Sequence, residues 1–263
     1  MNASDVAKAA GILLEAERSG RPLPQLTVAW PNMSEADAYA VQRETLRMRV
    51  ARGESVVGIK LGLTSRAKQT TMGIDSPTVS WLTDAMRLRL NEPVAASGFI
   101  HPRAEPEIAF VLGRELRGRV TPEQALSAVE RVHAAVEIID SRYTDFQFRI
   151  EDTIADNSSS GGFVISPVGL RPNDVDLFFE PVLLTEAGIV VDSATGAAVY
   201  GHPGEALAWA VNALAEQGLA VPRGSIVLTG GMTDAIPLRA GVAVAARFGR
   251  LGSVEVRVSG GAS

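Results

Sequence analysis

Apolar and polar positions follow two different periods along this chain, and the change of period separates its first part from the rest. Residues 3–19 carry an apolar stripe at helical spacing, and a second helical pattern begins at the capping residue Ser34 and runs to about Arg52. From residue 55 onward, short apolar runs bounded by glycine, proline and polar turns are typical of strands. The pattern predicts an α+β fold rather than a regular βαβ alternation.

The predicted strands and later helices follow one another closely, so we expect the β-rich part to form one continuous unit. Strands are predicted at 55–64, 105–112, 132–139, 163–165, 225–229, 242–248 and 254–258, with a weaker one at 86–90 and a hairpin set over 176–201. Later helices are predicted at 66–72, 121–131 and 203–217, and a loop at 23–33. We expect an N-terminal helical or α+β portion at 1–75, a β-rich portion at 76–258 that carries the chemistry, and a tail at 259–263.

Composition excludes several classes of function. The net charge is −5 and no basic run occurs, so general nucleic-acid binding is not expected. The absence of cysteine removes disulfides, thiolate nucleophiles, Fe–S clusters and cysteine-based zinc sites. No apolar segment reaches the length of a membrane span, and the N-terminus lacks the pattern of a signal peptide. A cytoplasmic protein without a membrane partner is therefore expected.

Two acids mark the most informative strand, 105–112. Glu105 and Glu107 are two residues apart, so they lie on one face of the strand at a spacing of about 7 Å. Like charges at the start of an apolar strand are unfavourable unless a partner compensates them. A third acid, Glu137, lies within the apolar run 134–139. Three carboxylates from two strands could hold one Mg²⁺, which prefers oxygen ligands. Alternatively, Glu105 and Glu107 could be solvated residues at a strand end.

Lys60 is the main candidate outside these acids. It lies on a strand flanked by Gly58 and Gly62, in an otherwise apolar stretch. A lysine there needs a carboxylate, an anionic ligand or a route to water. It could be an acid–base or carboxylate-binding residue, or a strand-edge lysine whose amine reaches solvent.

Two polar, glycine-containing segments could bind a small carboxylate through backbone N–H groups, or could be ordinary turns: 156–162 and 230–233. No dinucleotide-binding fingerprint, P-loop or Gly-x-Ser-x-Gly elbow is present. The histidines His101, His133 and His202 show no metal-binding spacing. The residues alone therefore leave a metal site and a structural interpretation open.

Six segments, in this order, resemble the hydratase/decarboxylase branch of the fumarylacetoacetate hydrolase superfamily: 58–65, 105–110, 136–142, 155–159, 228–233 and 251–254. The resemblance implies a mixed β-roll of the fumarylacetoacetate hydrolase type with a helical N-terminal portion. It implies a Mg²⁺ (or Mn²⁺) held by Glu105, Glu107 and Glu137, with Lys60 as the catalytic residue. It further implies substrate contacts from Leu61, Asn157, Ser159, Ser160, Gly231, Met232 and Thr233.

The resemblance also implies a reaction and partners. It implies Mg²⁺-dependent decarboxylation of 4-oxalocrotonate (2-oxohex-3-enedioate) to 2-hydroxypenta-2,4-dienoate and CO₂, in a catechol meta-cleavage pathway. The alternatives are hydration of 2-hydroxypenta-2,4-dienoate to 4-hydroxy-2-oxopentanoate, and binding of a 2-oxo acid without catalysis. A homo-oligomer and association with a partner hydratase are implied as well.

No single motif decides between the decarboxylases and the hydratases of this group. Residues 60–68 and 139–148 are similar to decarboxylases, whereas 160–163 is similar to hydratases. After Pro77, the residues Thr78-Val79-Ser80 lack the acid of the hydratases and also the aromatic-glycine pair usual in either branch. We favour the decarboxylase interpretation.

Overall fold

A computed structural model describes residues 1–259, apart from the side chains of Lys68, Thr71 and Met72. All of the predicted tail except Ser259 lies outside the described residues. The helices are α1 (Ala3–Ser19), α2 (Leu26–Ala29), α3 (Glu35–Ala51), α4 (Arg66–Met72), α5 (Pro122–Leu126), α6 (Ile150–Ala155) and α7 (Pro203–Glu216). The strands are β1 (Val56–Gly62), β2 (Thr78–Thr83), β3 (Arg103–Leu112), β4 (Val129–Ile139), β5 (Ser160–Leu170), β6 (Pro181–Glu186), β7 (Ile189–Thr195), β8 (Ile226–Leu228), β9 (Ile236–Pro237), β10 (Ala243–Phe248) and β11 (Ser253–Arg257).

The strands form two mixed or antiparallel sheets. The larger has seven strands, in the order β2-β1-β8-β3-β4-β5, with β9 beside β3, and the smaller has the order β11-β10-β6-β7. In the larger sheet only β1 and β8 pair in parallel, whereas β3 pairs antiparallel with both β8 and β4. This arrangement confirms the predicted α+β fold with a helical N-terminal portion. The boundary near residue 75 stays a prediction, and β1 pairs across it with β2.

The two faces of the larger sheet have different roles. Alternate residues of β3 and β4, such as Ile108, Phe110 and Val136, join the main apolar core, to which the smaller sheet and α7 also contribute. The opposite face carries the polar side chains of the candidate site. Helices α1 and α3 pack with Tyr143 and α6 in a second apolar cluster. The face with the polar site also carries a smaller buried apolar cluster, which includes Ala109, Ala135 and Phe163.

Four local predictions were wrong, and in the first two of them strand pairing prevailed over the local pattern. The helix predicted at 121–131 ends at Leu126, and Val129 already pairs with Leu112. The described residues 86–90 form no strand; Asp84–Met86 is a 3₁₀ turn, and the strand that pairs with β1 is β2, which ends at Thr83. The last segment of the predicted hairpin set, near 197–200, is a single 3₁₀ turn, Gly196–Ala198. The predicted loop at 23–33 contains the short helix α2.

No helix among the described residues is long and apolar enough to cross a membrane.

Candidate active site

Three glutamates meet at the junction of β3 and β4. Glu105 lies directly opposite Glu137 in the antiparallel register, and Glu107 follows two residues later on the same face. One carboxylate oxygen of each lies within 4.8 Å of the others. Glu107 and Glu137 are fully buried and Glu105 is 7% exposed, so the interpretation as solvated strand-end residues is wrong.

The hydrogen bonds around this cluster leave two oxygens without a partner. The backbone N–H of Gly230 donates to Glu107 Oε2 at 2.7 Å, and the Ser160 hydroxyl donates to Glu137 Oε1 at 3.3 Å. Glu107 Oε1 and Glu137 Oε2 are buried with no hydrogen-bond partner among the described residues. Buried carboxylate oxygens normally have partners, so the two vacant acceptors fit a bound divalent cation.

Burial and mutual repulsion change the acidity of the cluster. The pKa of Glu107 is raised well above the usual value by its burial and then by the charges of Glu137 and Glu105. Burial also raises the pKa of Glu137, although the neighbouring Lys60 opposes this shift. Protons and a divalent cation therefore compete for the same oxygens.

Lys60 is buried beside the cluster. Its side chain is 2% exposed, and its Nζ lies 2.7 Å from Glu137 Oε1. The same amine donates to the carbonyl oxygen of Ser158 at 3.0 Å. The alternative of a strand-edge lysine that reaches solvent is therefore wrong. The ammonium brings one positive charge and a proton into a site of three acids.

Glycines let the backbone pack closely around Lys60. A Cβ on Gly58 would overlap the backbone of Ile226, its partner in the parallel pairing of β1 and β8. A Cβ on Gly62 would lie 2.6 Å from Thr78 Oγ1. Both glycines flank the lysine because larger side chains would separate β1 from its neighbours.

A left-handed turn supplies the carbonyl that binds Lys60. Asn157, Ser158 and Ser159 have φ values of 51°, 49° and 57°, which are costly for residues other than glycine. The buried Arg142 stabilises this turn: its guanidinium pairs with the Asp156 carboxylate and donates to the carbonyl oxygens of Asp156 and Ser160. Such strain is typical of functional sites, where the surrounding structure enforces it.

Hydroxyl groups continue from this turn into β2. Ser158 Oγ lies 2.9 Å from Thr78 Oγ1 and accepts a hydrogen bond of 2.8 Å from Ser80 Oγ. Gln42, on α3, donates to Ser80 Oγ at 3.2 Å. These buried groups fix the orientation of the Ser158 hydroxyl next to Lys60.

The cluster opens into a cleft of about 690 Å³. Its walls combine charged, hydroxyl and aromatic side chains, and the lining residues are Lys60, Gly62, Leu63, Ala67, Arg103, Glu105, Ile139, Phe146, Phe148, Thr153, Ser158, Ser159, Asp234 and Ala235. This size and mixture suit a small organic acid.

The candidate substrate contacts have different positions. Ser159 lines the cleft, Ser160 contacts Glu137, and Gly231 adjoins Glu105 so closely that a Cβ would overlap its Oε2. The Asn157 side-chain amide forms two hydrogen bonds with the backbone of Trp81. Its Oδ1 accepts from the Trp81 N–H and its Nδ2 donates to the Trp81 carbonyl oxygen, both at 2.9 Å. The side chains of Leu61 and Met232 belong to the main core, so only their backbones can face the site. Thr233 is buried, and its hydroxyl donates to the Asp234 carbonyl at 3.0 Å.

Several site residues escaped sequence reasoning. The sequence predicts no strand at Thr78 and Ser80, but both lie in β2, which directs their hydroxyls towards Ser158. Ser158 lies within the polar segment 156–162, but its contact with Lys60 through the backbone carbonyl has no signal in the sequence. Arg103 lies two residues before Glu105, and strand alternation alone would have placed it on the same face.

Comparison with known proteins identifies the family. The model of the fumarylacetoacetate (FAA) hydrolase C-terminal family matches residues 56–259, a span that contains Lys60 and all three glutamates. The chain belongs to the fumarylacetoacetate hydrolase family.

Relatives of this family cover nearly the whole chain. A 4-oxalocrotonate decarboxylase from Pseudomonas sp is 40% identical, over 97% of this chain and 98% of the relative. A 2-hydroxyhexa-2,4-dienoate hydratase from Comamonas testosteroni is 41% identical, over 87% of this chain and 88% of the relative. The solved structure of 4-oxalocrotonate decarboxylase from Pseudomonas putida G7, complexed with magnesium and adipate, has a TM-score of 0.96 and 37% identity, and the match covers 98% of each chain. The chain is thus similar to both of the predicted kinds of lyase.

Proposed function

We propose that this protein is a Mg²⁺-dependent decarboxylase that converts 4-oxalocrotonate (2-oxohex-3-enedioate) to 2-hydroxypenta-2,4-dienoate and CO₂. The observation that carries the proposal is the pair of unpartnered buried oxygens, Glu107 Oε1 and Glu137 Oε2, beside the Lys60 ammonium. The similarity to a decarboxylase solved with magnesium and a six-carbon diacid supports the choice of metal and substrate.

The glutamates Glu105, Glu107 and Glu137 would hold the metal. When bound, Mg²⁺ would supply Lewis-acid chemistry at the 2-oxo acid end of the substrate. The residues of the chain then exclude water, orient the substrate and handle the proton. Burial of the glutamates gives the site a low dielectric, in which fixed charges act more strongly than in water.

The reaction breaks the bond between the distal carboxyl carbon and its neighbour in the carbon chain. The electron pair moves through the conjugated system to the 2-oxo oxygen, CO₂ leaves, and a dienolate remains. A proton on that oxygen gives 2-hydroxypenta-2,4-dienoate. Lys60 is the suitable donor or counter-ion, since Glu137 and the Ser158 carbonyl hold its amine in a fixed position.

Hydration of a 2-hydroxy-2,4-dienoate is the second candidate. The similarity to a hydratase favours this reaction. The hydroxyl groups of Ser158, Thr78 and Ser80, which lie next to Lys60 and could orient a water molecule, also favour it. Both reactions use the same 2-oxo acid site, so the glutamates do not discriminate between them.

A direct assay distinguishes the two reactions. Purified protein with Mg²⁺ is given 2-oxohex-3-enedioate while CO₂ release is measured, and 2-hydroxypenta-2,4-dienoate while loss of its absorbance is measured. We expect CO₂ release, and we expect EDTA to abolish it. Hydration without CO₂ release would overturn the decarboxylase proposal, and activity that survives EDTA would overturn the metal assignment.

We also propose where the enzyme acts and with which proteins it associates. The family resemblance supports a cytoplasmic enzyme that forms a homo-oligomer and associates with a partner hydratase. Exposed apolar side chains on β7, at Ile189, Val190 and Val191, are consistent with such contacts. Light scattering of the protein alone, and co-purification with a hydratase from the same genome, test these points.

A further inference from the structure

Arg103 lies on the same face of β3 as the metal-binding candidates. It precedes Glu105 by two residues, and its half-buried side chain lines the same cleft. Its guanidinium carbon lies 3.9 Å from the centre of the Phe146 ring. Among the described residues this guanidinium forms no ion pair, and Asp234, exposed elsewhere on the cleft wall, does not pair with it. Arg103 therefore offers a positive charge to the cleft.

The ring that holds Arg103 has an unusual backbone. Asp145 and Phe146 have φ values of 54° and 55°, a left-handed conformation that is costly for an aromatic residue. The Phe146 ring contacts both Arg103 and His101, whose ring centre is 4.6 Å away. His101 is itself fixed by a contact of 2.7 Å between its Nε2 and the Ser141 carbonyl. A strained turn thus fixes the arginine by stacking and leaves its N–H groups available.

The spacing of these groups matches a diacid. Successive residues on one face of a strand have Cα atoms roughly 6.6 Å apart, so the backbone positions of Arg103 and Glu105 are separated by about that distance along β3, and both side chains enter the same cleft. The two carboxyl carbons of an extended six-carbon diacid are about 6 Å apart, given C–C bonds near 1.5 Å. An acid whose 2-oxo end lies at the glutamates can therefore direct its other end towards Arg103.

We propose that Arg103, stacked on Phe146, binds the distal carboxylate of a dicarboxylic 2-oxo acid and so selects diacids over monoacids. The inference rests on the proposed function, because it takes the glutamate cluster as the site of the 2-oxo acid end. A guanidinium binds a carboxylate through two parallel N–H donors, which also orients the bond that breaks. The half-buried side chains of Phe146, Phe148 and Ile139 line the same region and give it aromatic and aliphatic walls.

Two unreactive acids of equal length isolate the distal carboxylate: 2-oxohexanedioate and 2-oxohexanoate. Their binding to the Mg²⁺-saturated protein is measured by calorimetry for the wild type and Arg103→Gln. The wild type should bind the diacid about tenfold or more tightly than the monoacid, the size expected of a hydrogen bond to a charged group. Arg103→Gln should lose this preference and keep its affinity for 2-oxohexanoate, which also reports a folded site.

Two further variants complete the experiment. Arg47→Gln removes an equal charge from an exposed ion pair on α3, with Glu44, and should keep the preference for the diacid. Arg103→Met keeps an aliphatic side chain against Phe146. It takes the place of Arg103→Gln in the experiment if Arg103→Gln does not fold. For turnover, the loss of Arg103 should raise KM for the diacid more than it lowers kcat.

The outcomes separate this inference from the proposed function. An unchanged preference for the diacid in Arg103→Gln or Arg103→Met overturns the role of Arg103, whatever the activity. A wild type that prefers the diacid through Arg103 but releases no CO₂ supports the diacid site and overturns the decarboxylation. A wild type that does not discriminate between the two acids overturns the inference directly.

Discussion

The Lys60 ammonium lies 2.7 Å from Glu137 Oε1, although β8 and β3 separate their strands in the sheet. Both side chains are buried, with exposures of 2% and 0%. A buried ion pair seldom contributes more stability than apolar packing would, and removal of one partner leaves a costly isolated charge. We therefore attribute the pair to the chemistry of the site, where it would link the proposed proton donor, Lys60, to the proposed metal ligands.

Replacement of Lys60 should separate binding from chemistry. We expect Lys60→Met to keep Mg²⁺ binding, because the three glutamates remain, and to lower kcat by about 10²–10⁴-fold, the usual contribution of a positioned acid or base. Calorimetry with Mg²⁺ and steady-state CO₂ release measure the two effects. Lys8→Met, on α1, is the control. Full activity of Lys60→Met would refute the assigned role.

Replacement of Glu107 should remove the metal site without unfolding the protein. Glu107→Gln loses a charged ligand and also relieves repulsion from Glu105 and Glu137. Loss of a residue that only supports a metal ligand typically lowers metal affinity about 10–100-fold, and we expect the Mg²⁺ affinity of Glu107→Gln to fall by more than this. We also expect the metal-free variant to melt at a higher temperature than the metal-free wild type, because the repulsion is relieved. The control is Glu115→Gln, which removes an exposed carboxylate. Equal Mg²⁺ affinities in the two variants would contradict the metal assignment.

The raised pKa values of Glu107 and Glu137 predict a specific pH dependence. Because the folded, metal-free protein binds protons at these sites more tightly than the unfolded chain, its free energy of unfolding should fall as pH rises from the ordinary glutamate pKa of about 4.3 towards the raised values. Mg²⁺ displaces the protons, so its affinity should increase over the same range, with proton release.

Thermal unfolding at pH 5 and pH 8, with and without Mg²⁺, measures this linkage. The increase in Tm caused by Mg²⁺ should be larger at pH 8. Calorimetry in two buffers of different ionisation enthalpy should give the number of protons released. A Tm increase that is independent of pH, with no proton release, would show that the carboxylates are already ionised in the metal-free protein.

Gly231 should be intolerant of a side chain for a local reason. The Cβ of Gly231→Ala would overlap Glu105 Oε2 and displace this carboxylate from the cluster. We therefore expect weaker Mg²⁺ binding and lower activity, with a modest change in Tm. Gly98→Ala is the matched control, since nothing lies within 4 Å of its Cβ and its φ is not positive. Normal Mg²⁺ affinity in Gly231→Ala would mean that Glu105 is not a ligand.

The helices and most strands could be predicted because their patterns are local. The α1 bounds of 3–19 follow directly from an amphipathic stripe and its caps, and the strand at 105–112 follows from an apolar run. The strand β2 could not be predicted in this way. Its Thr78 and Ser80 face buried hydroxyl partners rather than solvent or apolar core, so their polarity resembled that of a turn.

The sequence by itself determined that Glu105 and Glu107 share one face of a strand, because side chains alternate at a period of two. It also indicated Lys60 and Glu137 as charges within apolar runs. Only the tertiary structure decided that Glu137 lies opposite Glu105 and that Lys60 reaches it, because strand register and order depend on pairings between distant segments. The same pairings leave Glu107 Oε1 and Glu137 Oε2 buried without partners among the described residues, which makes a charge pattern into a candidate metal site.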